Sequence, residues 1–250
     1  MSVGTARVRQ GFEYMDPIRT AQHVATPASF PLAAGTSGTL RSVRQPHHSA
    51  PLMRKYAAAS LSEDGRHVVV ERLAPASSDF ECAFSAFTHS TQLYAPGGPI
   101  QASDLVPGDL VTTANGETRQ VTWVGSMTGM PMFSNPELPQ FRLIRISADS
   151  FGLDRPMGDL TLSPHALLDL GGERISAADR VDGEAFYQIL PRSSVRMFQV
   201  MLDKPACLLA NGLPVASYVP TGRTCSSMGP NRLALFRSFF AHTALSFADI

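Results

Sequence analysis

From about residue 55 onward, apolar positions come in short runs closed off by glycine, proline, asparagine or aspartate, a rhythm that predicts strands joined by tight turns. Residues 56–60 and 66–72 flank Ser62-Glu63-Asp64-Gly65, whose Asp-Gly pair predicts a β-hairpin, and Val68, Val69 and Val70 suit a pleated surface. Residues 91–94 and 100–105 predict two short strands around Pro96-Gly97-Gly98-Pro99. Val106-Pro107-Gly108-Asp109 places proline and glycine where a type II turn needs a fixed φ and then a positive one. Asn115-Gly116 predicts a hairpin into residues 118–124, which alternate Gln120 and Thr122 with Val121 and Trp123. Apolar runs at 141–146, 160–170, 186–190 and 195–202, then 207–210 and 214–219 split by Asn211-Gly212, continue the β pattern. Only the end reads as helical. After Gly229-Pro230, Leu233, Phe236 and Phe240 recur at helical steps, with Leu235 and Phe239 widening the face, and Phe236, Phe239, Phe240 and Phe247 are read as core or docking residues.

Composition supports this reading. The 250 residues (26.9 kDa) suffice for a sizeable core, and 19 Gly with 19 Pro favour turns over long helices, so an all-β fold is expected. Twenty-one basic and 21 acidic residues leave no net charge, which removes the general pull towards nucleic acid or an anionic membrane. No apolar stretch approaches the roughly 18 residues of a membrane span, and the N-terminus lacks the order of a signal peptide. Cys82, Cys207 and Cys225 are odd in number and widely spaced, indicating neither a disulfide framework nor a zinc site and pointing to a reducing compartment, cytoplasmic by default.

Residues 20–51 are rich in Ala, Ser, Pro, Gly and Thr and are expected to form a flexible leader; His47 and His48 within it lack a third metal ligand. The expected organisation is a leader over 1–54, a hairpin and linker over 55–79, a β domain over 80–225 and an amphipathic helix within 226–250. Gly97-Gly98 and Gly171-Gly172 lack the spacing of phosphate-binding loops, and no cofactor or metal is expected.

Four blocks in order carry a family resemblance. Ala86-Phe87-Thr88-His89-Ser90-Thr91 leads, through residues 100–105, into Val106-Pro107-Gly108-Asp109-Leu110-Val111; residues 120–125, Leu162-Ser163-Pro164-His165 and residues 209–218 follow. Over residues 80–225 this resembles the Hint domain of hedgehog autoprocessing regions and inteins, in particular bacterial Hint proteins. The resemblance implies a horseshoe-shaped β fold with pseudo-twofold symmetry. It also implies self-directed chemistry: a cysteine at the first position attacks the preceding carbonyl, and a histidine in the second block protonates the departing amide.

This chain departs from that pattern at both positions. Ala86 stands where the cysteine is expected, and Ala166 fills the histidine position of Ser-Pro-x-His, with His165 one residue early. On a strand, that offset turns the side chain to the opposite face unless a bulge restores it. Ser85, Thr88 and Ser90 offer hydroxyls upstream and downstream, with Ser163 and His165 as weak partners. Cys82 and Cys207 read as small buried hydrophobes, Cys225 as the most exposed thiol, and Asn211-Gly212 as a turn rather than a splicing terminus. The leading expectation is therefore a degenerate Hint domain acting as a non-catalytic module that binds a protein partner. The alternative is residual self-cleavage through an ester at Ser85 or Thr88. A third reading places a small ligand near Trp123 with Arg142 or Arg145.

Overall fold

The computed structural model describes residues 51–62, 64–131 and 140–243; residues 1–50 of the expected leader, with His47 and His48, and Phe247 lie outside the described residues, while Met53 and Arg54 of that leader belong to a strand. The elements in chain order are β1 (Met53–Leu61), β2 (His67–Pro75), α1 (Ser78–Phe84), β3 (Phe87–Thr88), β4 (Gln92–Ala95), β5 (Gly98–Gln101), β6 (Leu110–Thr112) and β7 (Thr118–Gly129). After them come β8 (Leu143–Ile146), β9 (Leu160–Leu162), β10 (Leu167–Leu170), β11 (Glu173–Ser176), a 3-10 turn (Ala178–Arg180), β12 (Phe186–Ile189), β13 (Val195–Leu202), β14 (Cys207–Ala210) and β15 (Leu213–Ala216). Two short helices come last among the described residues, α2 (Gly222–Ser226) and α3 (Pro230–Arg237). The structure is mainly β, as the turn-punctuated pattern predicts.

The strands form two antiparallel sheets. One has nine strands in the order β12-β8-β9-β3-β13-β7-β1-β2, with β6 pairing β7 off that path; the other has six, β11-β10-β15-β14-β4-β5. The predicted turns locate the strand ends. Gly108 has φ +101° between β5 and β6, and Asn211 and Gly212 both take positive φ in the two-residue turn that pairs Ala210 with Leu213.

Alternation along β7 and β13 separates two cores. On one face Phe198 and Val200 join Ala86, Phe87, Val124, Leu162 and Ala166 in the larger apolar cluster. On the other, Met127, Met197 and Met201 join an aromatic cluster of Tyr56, Phe80, Phe84, Trp123, Phe236, Phe239 and Phe240. Strand β13 is thus buried on both sides, which its nearly continuous apolar run requires. The aromatic cluster is built from both flanks: β1 and α1 before residue 85, and α3 with the turn after it. Trp123 Nε1 donates to the Phe239 carbonyl at 2.9 Å, and its ring stacks on Phe240 with centroids 4.8 Å apart. The hairpin of β1 and β2 is continuous with the domain, because β1 also pairs β7 from Tyr56 opposite Met127 to Ser60 opposite Trp123.

Several local expectations change. Helix α1 was not expected; it is only seven residues long, with Phe80, Ala83 and Phe84 on its buried face at i, i+3 and i+4. The run at 160–170 is broken into β9 and β10 by a turn at Ser163–Ala166, closed by the Ala166 amide on the Ser163 carbonyl at 3.1 Å. Helix α3 starts with Pro230 in its first turn as expected but ends at Arg237, so Phe239 and Phe240 are carried by the turns that follow. Within the helix Phe236 alone is fully buried. Cys225, expected to be the most exposed thiol, is buried.

Candidate active site

Ser85 leaves the end of α1 with an extended backbone and is itself buried. Its Oγ donates to the Glu81 carbonyl at 2.6 Å, one helical turn back, and lies 3.0 Å from Ser163 Oγ. A hydroxyl has one proton, so the Ser85 proton is shared between the nearer Glu81 carbonyl and Ser163 Oγ, both of which accept. Ser163 Oγ also accepts the His165 amide at 3.2 Å. Backbone pairing fixes the register of the two segments: the Ser163 amide donates to the Ala86 carbonyl at 2.8 Å, and the Ala86 amide donates to the Phe198 carbonyl at 2.8 Å.

Ser85, Ser163 and His165 line one small cavity of about 190 Å³ together with Glu81, Arg142 and Gln188. Burial holds the His165 imidazole below its ordinary pKa of 6.5, and the nearby Glu81 carboxylate opposes that shift. Glu81 is in turn paired with Arg54, Oε1 to Nη2 at 3.1 Å. His165 lies in the turn between β9 and β10, not on a strand, so strand alternation does not decide its direction. Ala86 and Ala166, at the positions where the resemblance expects cysteine and histidine, are both buried methyl groups in the larger apolar cluster.

The remaining candidates fall elsewhere. Thr88 is on β3, its hydroxyl 3.1 Å from that of Thr91, and it is not among the residues lining this cavity. Ser90 is exposed. Burial pushes the Cys82 thiol up to about 11, with Asp79 and Glu81 adding to the shift. Burial raises the Cys207 thiol too, reinforced by Asp169, whose carboxylate lies 3.7 Å from the sulfur. Trp123 is fully enclosed by the aromatic cluster, Arg145 stacks over Tyr187 and pairs with Asp159, and Arg142 lines the small cavity. Asn211 serves its turn: its amide and side chain bond Gln92 and Met157, fastening the loop after β8.

Sequence reasoning overlooked Glu81 and Gln188. Glu81 stands four residues before Ser85, a spacing that acquires meaning only once α1 is recognised; Gln188 comes from a strand distant in sequence and carries no local signal. Among the described residues, no three His, Cys, Asp or Glu side chains gather as a metal site, and no helix is long and apolar enough to cross a membrane.

The arrangement brings together the start of one strand and the turn of a second block, and this is the geometry on which a family comparison bears. A family model described as the Hint domain matches residues 85–222, more than half of the chain, and this chain belongs to that family. Among solved structures, the MchDnaB-1 intein is 16% identical with a TM-score of 0.39, over 53% of this chain and 100% of the intein. A DnaB intein from Synechocystis sp. PCC 6803 is 11% identical with a TM-score of 0.38, over 54% and 99%. A bacterial intein-like domain from Clostridium thermocellum is also 11% identical, with a TM-score of 0.37, over 53% and 98%. No curated protein matches the chain.

Proposed function

We propose that this Hint domain does not process itself and acts as a protein-binding module. The observation that carries this reading is Ala86: the position has no nucleophilic atom, its methyl is fully buried, and both its backbone polar groups are engaged, with Phe198 and Ser163. A thioester cannot form there. Histidine at the second-block position is replaced by the buried Ala166, which removes the proton donor as well. The flanks support the same reading, since β1, α1 and α3 contribute aromatic side chains to one core with Trp123. Tyr56, Phe80 and Phe84, which lie upstream of the position where a self-cleaving domain would part, are here part of the folded core. The test is incubation of the purified chain with hydroxylamine or a small thiol, which intercept ester and thioester intermediates; an unchanged chain is expected.

A second reading is favoured by one specific observation, the buried Ser85–Ser163 pair beside His165. Attack of Ser85 Oγ on the Phe84 carbonyl would form an ester as the C–N bond to Ser85 breaks, with the hydroxyl proton ending on the Ser85 nitrogen. A serine needs a base at its oxygen to do this. The Ser85 hydroxyl instead meets a carbonyl and a second hydroxyl, which is why the non-catalytic reading stands first. Should cleavage occur, Ser85→Ala would abolish it under this reading and leave it unchanged under any other.

A further inference from the structure

Strand β2 ends the nine-stranded sheet, and it differs from the other sheet ends in length. It has nine residues, whereas β12, β5 and β11 have four each. Edge strands are commonly protected by shortness, bulges, lysine or proline. Strand β2 has no lysine, no proline before Pro75, and a regular register against β1 from His67 opposite Leu61 to Pro75 opposite Met53.

The hydrogen bonds at the two ends of the hairpin show which backbone groups of β2 are unpaired among the described residues. The Ser62 amide donates to the Arg66 carbonyl, and the Ala76 amide to the Leu52 carbonyl. In an antiparallel ladder, bonded pairs recur every second residue. The even-numbered residues of β2 therefore bond to β1, and His67, Val69, Glu71 and Leu73 direct their N–H and C=O groups away from the sheet. These same residues carry the side chains of the uncovered face, where Val69 and Leu73 are each 64% exposed.

We propose that this edge pairs with the β2 edge of a second copy of the chain, antiparallel and centred on Glu71. Because both partners use odd-numbered residues, a twofold axis through Glu71 aligns the whole strand. Val69 of each copy then lies beside Leu73 of the other, so two apolar contacts form symmetrically on one face. On the opposite face, Val70 meets Arg72 and Val68 meets Ala74. Charge at the axis is balanced: each Glu71 carboxylate is held by its own Lys55 Nζ at 2.6 Å, so two carboxylates meet in company with two ammonium groups. This inference does not depend on whether Ser85 is reactive.

Sedimentation of the full chain over about a hundredfold range of concentration tests the pairing, since a dimer must dissociate on dilution by mass action. A concentration-dependent dimer is expected, and the double variant Val69→Lys with Leu73→Lys is expected to be monomeric with an unchanged circular dichroism spectrum. The register has its own test, which serves even if that double variant fails to fold. Glu71→Cys places two thiols across a directly paired position whose Cα separation of about 5.5 Å suits a disulfide, so oxidation should yield a covalent dimer. Val69→Cys, which faces Leu73, should not. A monomer at every concentration, a dimer that survives both lysines in a folded protein, or equal cross-linking of the two cysteine variants overturns the proposal.

Discussion

Ser85 Oγ and Ser163 Oγ lie 3.0 Å apart in a buried position, joining two residues 78 positions apart in the chain. The contact fastens the end of α1 to the turn between β9 and β10, and on the non-catalytic reading it is a structural bond. Removing one partner leaves the other hydroxyl short of a bond. Ser85→Ala should therefore cost about 1–3 kcal/mol, and Ser163→Ala a similar amount. Chemical unfolding of the single and double variants checks this: the double variant should fall short of the sum, as expected for residues in contact.

The His165 imidazole is held below 6.5 by burial, so the folded state resists the proton that the unfolded chain accepts. The unfolded state binds more protons as pH falls below 6.5, and stability should decline in that direction until the lower folded-state pKa is reached. Urea midpoints measured across this window should fall with pH more steeply in the native protein than in His165→Gln. Equal slopes would show that His165 is not shielded from water.

Cys82 offers a test of nucleophile availability. With its thiol near 11 instead of 9.0, it holds roughly a hundredfold less thiolate than an ordinary cysteine at a given pH near neutrality. Alkylation followed by peptide mapping should modify Cys82 slowly in the folded chain and rapidly in denaturant. Rapid labelling while folded would make the residue a candidate nucleophile after all.

Close packing limits two glycines in β7. A Cβ at Gly129 would run into the ring of Phe141, and one at Gly125 into the rings of Trp123 and Phe84. Gly129→Ala and Gly125→Ala should each destabilise by about 1–3 kcal/mol through overpacking. Trp123 is the single tryptophan, so its fluorescence reports on the aromatic core directly. Phe240→Ala, which removes the stacked ring, should shift its emission to the red and cost about 3–5 kcal/mol.

Much of the strand pattern is legible because it depends on local chemistry. Asn211-Gly212 adopts the positive φ pair that a two-residue hairpin demands, and Gly108 supplies the positive φ expected after Pro107. Helix α1 escapes notice for a physical reason: its apolar stripe is one turn long, and Phe80 and Phe84 are stabilised by Tyr56, Trp123 and Phe239 rather than by propensity. The candidate site is half legible. Ala86 and Ala166 stand out by what they lack, whereas the partnership of Ser85 with Ser163 exists only through tertiary folding. His165 illustrates the same limit, since an alternating strand was expected where the backbone turns.

The most direct test of the central claim is the mass of the intact chain under denaturing conditions after incubation with hydroxylamine or thiol. Denaturation matters because Phe80, Phe84 and Tyr56 pack against Trp123 and Phe239 in one core, so cleaved pieces would stay associated in native buffer. The account predicts one species near 26.9 kDa throughout. A pair of fragments parted between Phe84 and Ser85, growing with added nucleophile, would contradict it and make Ser85 the working nucleophile of this Hint domain.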